Sequence, residues 1–220
     1  MLTLISSAKT LDFAKAASSN VHTLPEFIVD SNFLAGELRK LSPNEISRLM
    51  GVSEQLGEVN AERYKLWQSE VTSSNAKQAL MAFKGDVYNA MDVESYKASD
   101  IKFAQAHLRI LSGLYGLLRP MDLIQPYRLE MAFKFDNDRG RNLYGFWGDK
   151  IANELNKQLR LLKSKTIVNL ASNEYFKAVK PKFLEADVVT PVFKDYRNGD
   201  YKIVSFFAKK ARGLMGCYII

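Results

Sequence analysis

The apolar residues of this 220-residue chain change their spacing along its length, and that change limits the fold more than any other feature. From Ser31 to Leu41, Phe33, Leu34, Leu38 and Leu41 recur at helical intervals. From Leu2 to Ile5 and again from Thr166 to Leu170, the apolar residues instead form the short runs that make buried strands. A chain with both periods, long enough for one sizeable core and too short to need a second, is expected to be one mixed α/β domain of the α+β class spanning 1–220.

Local signals place the elements. Leu2–Ile5 reads as a strand leaving the core into Ser6-Ser7-Ala8-Lys9-Thr10, and polar groups at such strand ends often carry chemistry. Ser42-Pro43-Asn44-Glu45 is a capping box with proline at the first helical position, and a third helix is expected from Asn60 through Trp67. Gly85 breaks the helical pattern in Ala82–Tyr88, so a short strand or turn brings Lys84 and Asp86 together as a site wall. With Asp100 as N-cap, a helix carrying Phe103, Ala104, Leu108 and Leu111 inward is expected to stop near Ser112-Gly113. Leu114 to Met131 concentrates glycine, proline and arginine, which implies a constrained backbone with cations projecting from it. Ile151–Leu162 is amphipathic, and Ser172 or Asn173 caps a short helix ending at Pro181. Strands Val188–Tyr196 and Tyr201–Phe207 flank the turn signal Asn198-Gly199, and the basic run Lys209-Lys210-Ala211-Arg212-Gly213 follows in a strand-to-loop setting.

Charge is unevenly divided. Residues 1–100 hold ten Lys/Arg against thirteen Asp/Glu, whereas residues 101–220 hold twenty-one against eleven. A basic half-chain suits a phosphate-bearing partner, although a well-solvated basic protein has the same composition. The single cysteine, Cys217, excludes an internal disulfide and reads as a small buried hydrophobe. With only His22 and His107, a histidine-rich metal site is excluded, and neither a metal nor a cofactor is expected. No apolar run is long enough to span a bilayer and the first residues lack a charged leader region, so a cytoplasmic location is expected.

The segments Leu4–Leu11, Phe83–Tyr88, the block LRILSGLYGLLRPMDLIQPYRLEM from Leu108 to Met131, Asn169–Lys177 and Phe207–Met215 together resemble the YaaA family of bacterial peroxide-stress proteins. The resemblance runs in order over the whole chain. Ser7 departs from it, standing where the family motif usually has proline, and members usually run some tens of residues past the equivalent of Ile220, so that tail is expected to be absent here. The resemblance implies a compact body of unusual topology with a helix-hairpin-helix-like element, sequence-nonspecific binding of duplex or junction DNA, and a role in limiting peroxide damage by lowering free iron. A monomer is expected.

Two sets of candidate residues follow. For DNA, the turn Ser112, Gly113, Tyr115 and Gly116 would aim backbone N–H groups at a phosphate. Arg109, Arg119 and Arg128 would add forked donors, or else pair with Glu130, Asp122 or Asp149. Lys177, Lys180, Lys209, Lys210 and Arg212 would add to the field, with Lys209, Lys210 and Arg212 favoured because Gly213 lets backbone approach an anion. The alternative is an enzyme acting on a phosphorylated or nucleoside small molecule, in which Lys9, Lys84, Asp86, Tyr88, Ser172 and Glu174 line a polar cleft, joined by Lys177. No Walker loop, GxGxxG, GxSxG or Ser-His-Asp pattern assigns that chemistry.

Overall fold

A computed structural model describes residues 1–14, 21–197 and 199–220. Strands β1 (Leu2–Ser6) and β2 (Thr10–Leu11) precede helices α1 (Ile28–Arg39), α2 (Pro43–Met50) and α3 (Glu54–Lys65). Next come β3 (Lys77–Gln78), α4 (Ala79–Ala82), β4 (Phe83–Lys84), α5 (Asp86–Met91) and α6 (Ala98–His107). Strands β5 (Leu108–Ser112), β6 (Gly116–Leu118) and β7 (Leu123–Ile124) lead into α7 (Leu143–Trp147) and α8 (Lys150–Leu161). The chain finishes with β8 (Thr166–Asn169), α9 (Asn173–Phe176), β9 (Asp187–Val189), the hairpin β10 (Asp195–Arg197) and β11 (Asp200–Lys202), and α10 (Ser205–Ile219).

The core is organised by a five-stranded sheet in the order β6-β5-β1-β8-β9. β1 lies at its centre, parallel to β5 on one side and to β8 on the other, with Leu4 opposite both Arg109 and Asn169. β9 runs parallel to β8, and β6 returns antiparallel to β5. The chain leaves β1 towards β5 and leaves β8 towards β9, so the two connections diverge from neighbouring strands. In an open α/β sheet such a divergence leaves a crevice at the carboxyl ends of those strands, here after Ser6 and after Asn169.

The capping box forms as expected. The Ser42 side chain accepts from Glu45 N, and the Glu45 carboxylate accepts from Ser42 N at 2.7 Å. The third helix begins earlier than its apolar spacing suggests, at Glu54, because Ser53 caps it by accepting from Leu56 N. Asn198 lies outside the described residues, but the hairpin it was expected to turn is present, with Tyr196 opposite Tyr201.

Several expectations are corrected. The helix through Asp100 ends at His107, and Asp100 sits inside its first turn, its carboxylate accepting from Lys97 N at 2.8 Å. Leu108 to Ser112 is instead a strand beside β1, every residue of it buried. A strand covered on both faces is almost continuously apolar and so lacks the alternation that would mark it. The turn after it therefore joins two strands, and the helix-hairpin-helix becomes a β-hairpin in which Leu111 faces Leu117. The basic run Lys209–Gly213 lies within α10 rather than between a strand and a loop, and Phe206 and Phe207 belong to that helix too. Val188–Tyr196 divides into β9, which joins the main sheet, and β10, which does not.

Candidate active site

At the crevice between β1 and β8, the two strand ends are stitched together by side chains. Ser172 N donates to Ser6 Oγ at 2.9 Å, and Tyr88 donates its hydroxyl to the Ser6 carbonyl at 2.9 Å. These bonds hold the loop Ser7-Ala8-Lys9 at one wall of a cleft of about 410 Å³. A second wall is the β4–α5 corner, where Thr10 pairs with Lys84 across β2 and β4. Gly85 has φ +135°, a backbone shape that L side chains rarely adopt, and this sharp corner places Asp86 at the cleft. Glu174, from α9 just after β8, faces them, its carboxylate accepting from Ala132 N at 3.1 Å.

All six residues of the small-molecule set, Lys9, Lys84, Asp86, Tyr88, Ser172 and Glu174, therefore line one cleft, although they come from widely separated parts of the sequence. Lys177 stands beside it, its ammonium 5.0 Å from the Tyr144 ring, while the Tyr144 hydroxyl donates to Glu174 O. Glu130 is a lining residue that the sequence suggested only as an ion-pair partner. One of its carboxylate oxygens lies 2.7 Å from Lys9 Nζ, and the other lies 3.1 Å from Arg128 Nη2. Ser6, Ser7, Thr10 and Tyr175 also line the cleft; the polar stretch that ends the first strand signals the first three, and Tyr175 comes from α9.

The last wall is α10, which contributes Lys209 and Arg212. A Cβ on Gly213 would lie 2.2 Å from the Val87 carbonyl oxygen and 2.7 Å from Ala90 Cβ, so the helix packs directly on α5 at that point. Gly213 thus serves helix packing rather than anion approach, and the packing sets Lys209 4.0 Å from the Asp86 carboxylate. Burial holds the Arg212 guanidinium below the usual arginine range. Four side-chain cations and three carboxylates line the cleft, which gives the site a formal excess of positive charge.

Of the residues expected to meet DNA, Lys209 and Arg212 line this cleft and Lys177 stands beside it, whereas the others lie outside it. Ser112, Tyr115 and Arg109 are at most 5% exposed, and Gly113 and Gly116 are buried with them. A Cβ at Gly113 would meet Leu129 O at 2.2 Å, and Gly116 has φ +66° with the Trp147 ring 2.7 Å from its Cβ position. Both glycines admit neighbouring structure, and their N–H groups have no path to a phosphate. Arg109 donates to Gln158, to Gln105 O and to Leu108 O, and burial lowers its pKa to about 10. Arg119 pairs with Asp122 at 2.9 Å and donates to Leu24 O, and Arg128 pairs with Glu130. Lys180 occupies a left-handed bend at φ 50°, and Lys210 is an exposed residue of α10.

Comparison with known proteins agrees with the resemblance. A "UPF0246 protein" of Teredinibacter turnerae is 55% identical over 220 residues, covering all of this chain and 86% of the relative. Another, of Aliivibrio fischeri strain ES114, is 56% identical over 220 residues, covering all of this chain and 85% of the relative. No helix among the described residues is long and apolar enough to cross a membrane. A family model described as "Peroxide stress protein YaaA" matches residues 1–220, and the chain belongs to that family.

Proposed function

We propose that this protein serves peroxide stress through a cleft that binds a small phosphorylated or nucleoside-type molecule. The observation that carries this reading is the convergence of Lys9, Lys84, Lys209 and Arg212 with Asp86, Glu130 and Glu174 on one concave site at the divergence of β1 and β8. The cations neutralise an anionic group. The carboxylates, each beside a cation or a backbone donor, are placed to accept or return a proton on the bound molecule. Calorimetric titration of inorganic phosphate and nucleoside monophosphates into the wild type and a Lys209→Met/Arg212→Met variant tests the reading. Saturable binding weakened at least ten-fold in the variant supports it, and heat that never saturates, or that the variant leaves unchanged, overturns it.

A second reading, nonspecific contact with DNA that limits its damage, is favoured by one observation. The side chains of Lys9 and Lys209 at the cleft are 64% and 54% exposed, which leaves charge available to a phosphodiester backbone. Under it, duplex and junction DNA bind with an affinity that falls steeply between about 50 and 200 mM salt, and removing Lys9 and Lys209 flattens the salt dependence. An Arg109 or Arg119 variant would not be informative, since both guanidinium groups are engaged internally.

A further inference from the structure

The serine that opens α9 behaves unlike those that open α2 and α3. Ser42 (φ −66°, ψ 160°) and Ser53 (φ −61°, ψ 158°) turn their hydroxyls back over the helix, where they accept from Glu45 N at 3.3 Å and from Leu56 N at 3.4 Å. Ser172 has almost the same backbone, φ −69° and ψ 156°, yet its side chain makes no capping bond. The backbone permits capping there, so another contact holds the hydroxyl away from the helix.

That contact is with Ser6, the last residue of β1. The Ser6 hydroxyl accepts from Ser172 N at 2.9 Å and donates to Ser172 Oγ, 3.4 Å away. Ser6 is itself anchored. Its carbonyl accepts from the hydroxyl of the buried Tyr88 at 2.9 Å, and the next amide, Ser7 N, donates to Leu111 O at 2.8 Å. A serine hydroxyl has one proton to give, and Ser172 Oγ takes part here only as acceptor, so its own proton is unspent among the described residues. The contact is long for a pair of hydroxyls, so it sets the direction of the Ser172 side chain without tying up its proton. Ser172 lines the cleft together with Lys9, Lys209 and Arg212.

We propose that Ser172 is a specificity-determining residue of the cleft, whose hydroxyl donates to an oxygen of the bound anion, and that Ser6 is the positioning residue that turns it there. An ionised phosphoryl oxygen accepts and cannot donate, so it matches the proton that Ser172 has left. The choice of an anion rests on the reading of the cleft given above, whereas the orientation of the hydroxyl rests on the hydrogen bonds alone.

A crystal structure of the ligand-free protein reads the orientation first. Ser172 Oγ beside Ser6 Oγ supports the proposal, and Ser172 Oγ within hydrogen-bond distance of Tyr175 N, the capping position, overturns it. Calorimetric titration of inorganic phosphate then tests the role. Ser172→Ala is expected to lose about ten-fold in affinity, the effect of one hydrogen bond to a charged group, with its urea midpoint unchanged because no cap is removed. A lower midpoint with unchanged affinity, the mark of a capping serine, overturns the donor role. Ser6→Ala is expected to weaken binding in the wild-type background and to add nothing in the Ser172→Ala background, while Ser6→Thr, which keeps the hydroxyl, restores it. Equal losses in both backgrounds overturn the positioning role. Wild-type protein that binds no phosphate overturns the anion reading and the donor role with it, a result distinct from the failure of Ser172 alone, in which the wild type and Ser172→Ala bind equally well.

Discussion

The space above Gly213 is closed by the Val87 carbonyl oxygen, 2.2 Å from where a Cβ would stand. This contact between α10 and α5 makes the cleft's positive wall depend on a residue with no side chain. Replacing Gly213 by alanine gains about 1 kcal/mol of helix propensity but overpacks rigid neighbours at a cost of about 3 kcal/mol. The net expectation is a Tm lower by roughly 4 to 8 °C for a domain of this size, together with weaker ligand binding as Lys209 and Arg212 shift. Thermal melting and calorimetry on Gly213→Ala check both.

The buried tyrosines make the fold sensitive to alkali. Burial raises the phenols of Tyr64, Tyr88, Tyr115 and Tyr175, and pushes Tyr127 up to about 12. An acid whose pKa is raised by folding holds its proton in the native state after the unfolded chain has lost it. The associated stability is complete below the unfolded value near 10 and is lost as pH rises towards the folded one. Tyr127 alone accounts for roughly 1.4 kcal/mol per pH unit between about 10 and 12. Urea unfolding of the wild type and Tyr127→Phe across that range should show a shallower decline in the variant.

The capping box offers a test remote from the cleft. Ser42→Ala removes the side chain that accepts from Glu45 N and leaves the start of α2 uncapped. A loss of about 1 kcal/mol is expected, seen as a lower urea midpoint with an unchanged slope and unchanged phosphate affinity.

Much of this architecture was legible because local and tertiary preferences agree. Leu2–Ile5, Ser42–Glu45 and the segment around Lys84 and Asp86 each carry their signal within a few residues, and each is realised. Leu108–Ser112 reads as helix because its leucines also satisfy helical spacing, and only its burial between β1 and β6 decides for strand. The same error turned Gly113 and Gly116 into a phosphate cradle, although their small size admits Leu129 O and Trp147. Polar residues at strand ends proved the better guide to the cleft, because chain reversal there leaves side chains without sheet neighbours. The basic run beside Gly213 makes Lys209 and Arg212 legible as anion-facing cations, but their place in the cleft depends on a contact between α10 and α5 that no local pattern encodes.

The proposed function requires Lys9, Lys209 and Arg212 to gather around a small anion. Crystals soaked in a nucleoside monophosphate test it most directly. A phosphoryl group is expected within hydrogen-bond distance of at least two of those three side chains, in the cleft between Ser172 and Asp86. Full occupancy at another site, with the cleft empty at saturating ligand, would contradict it.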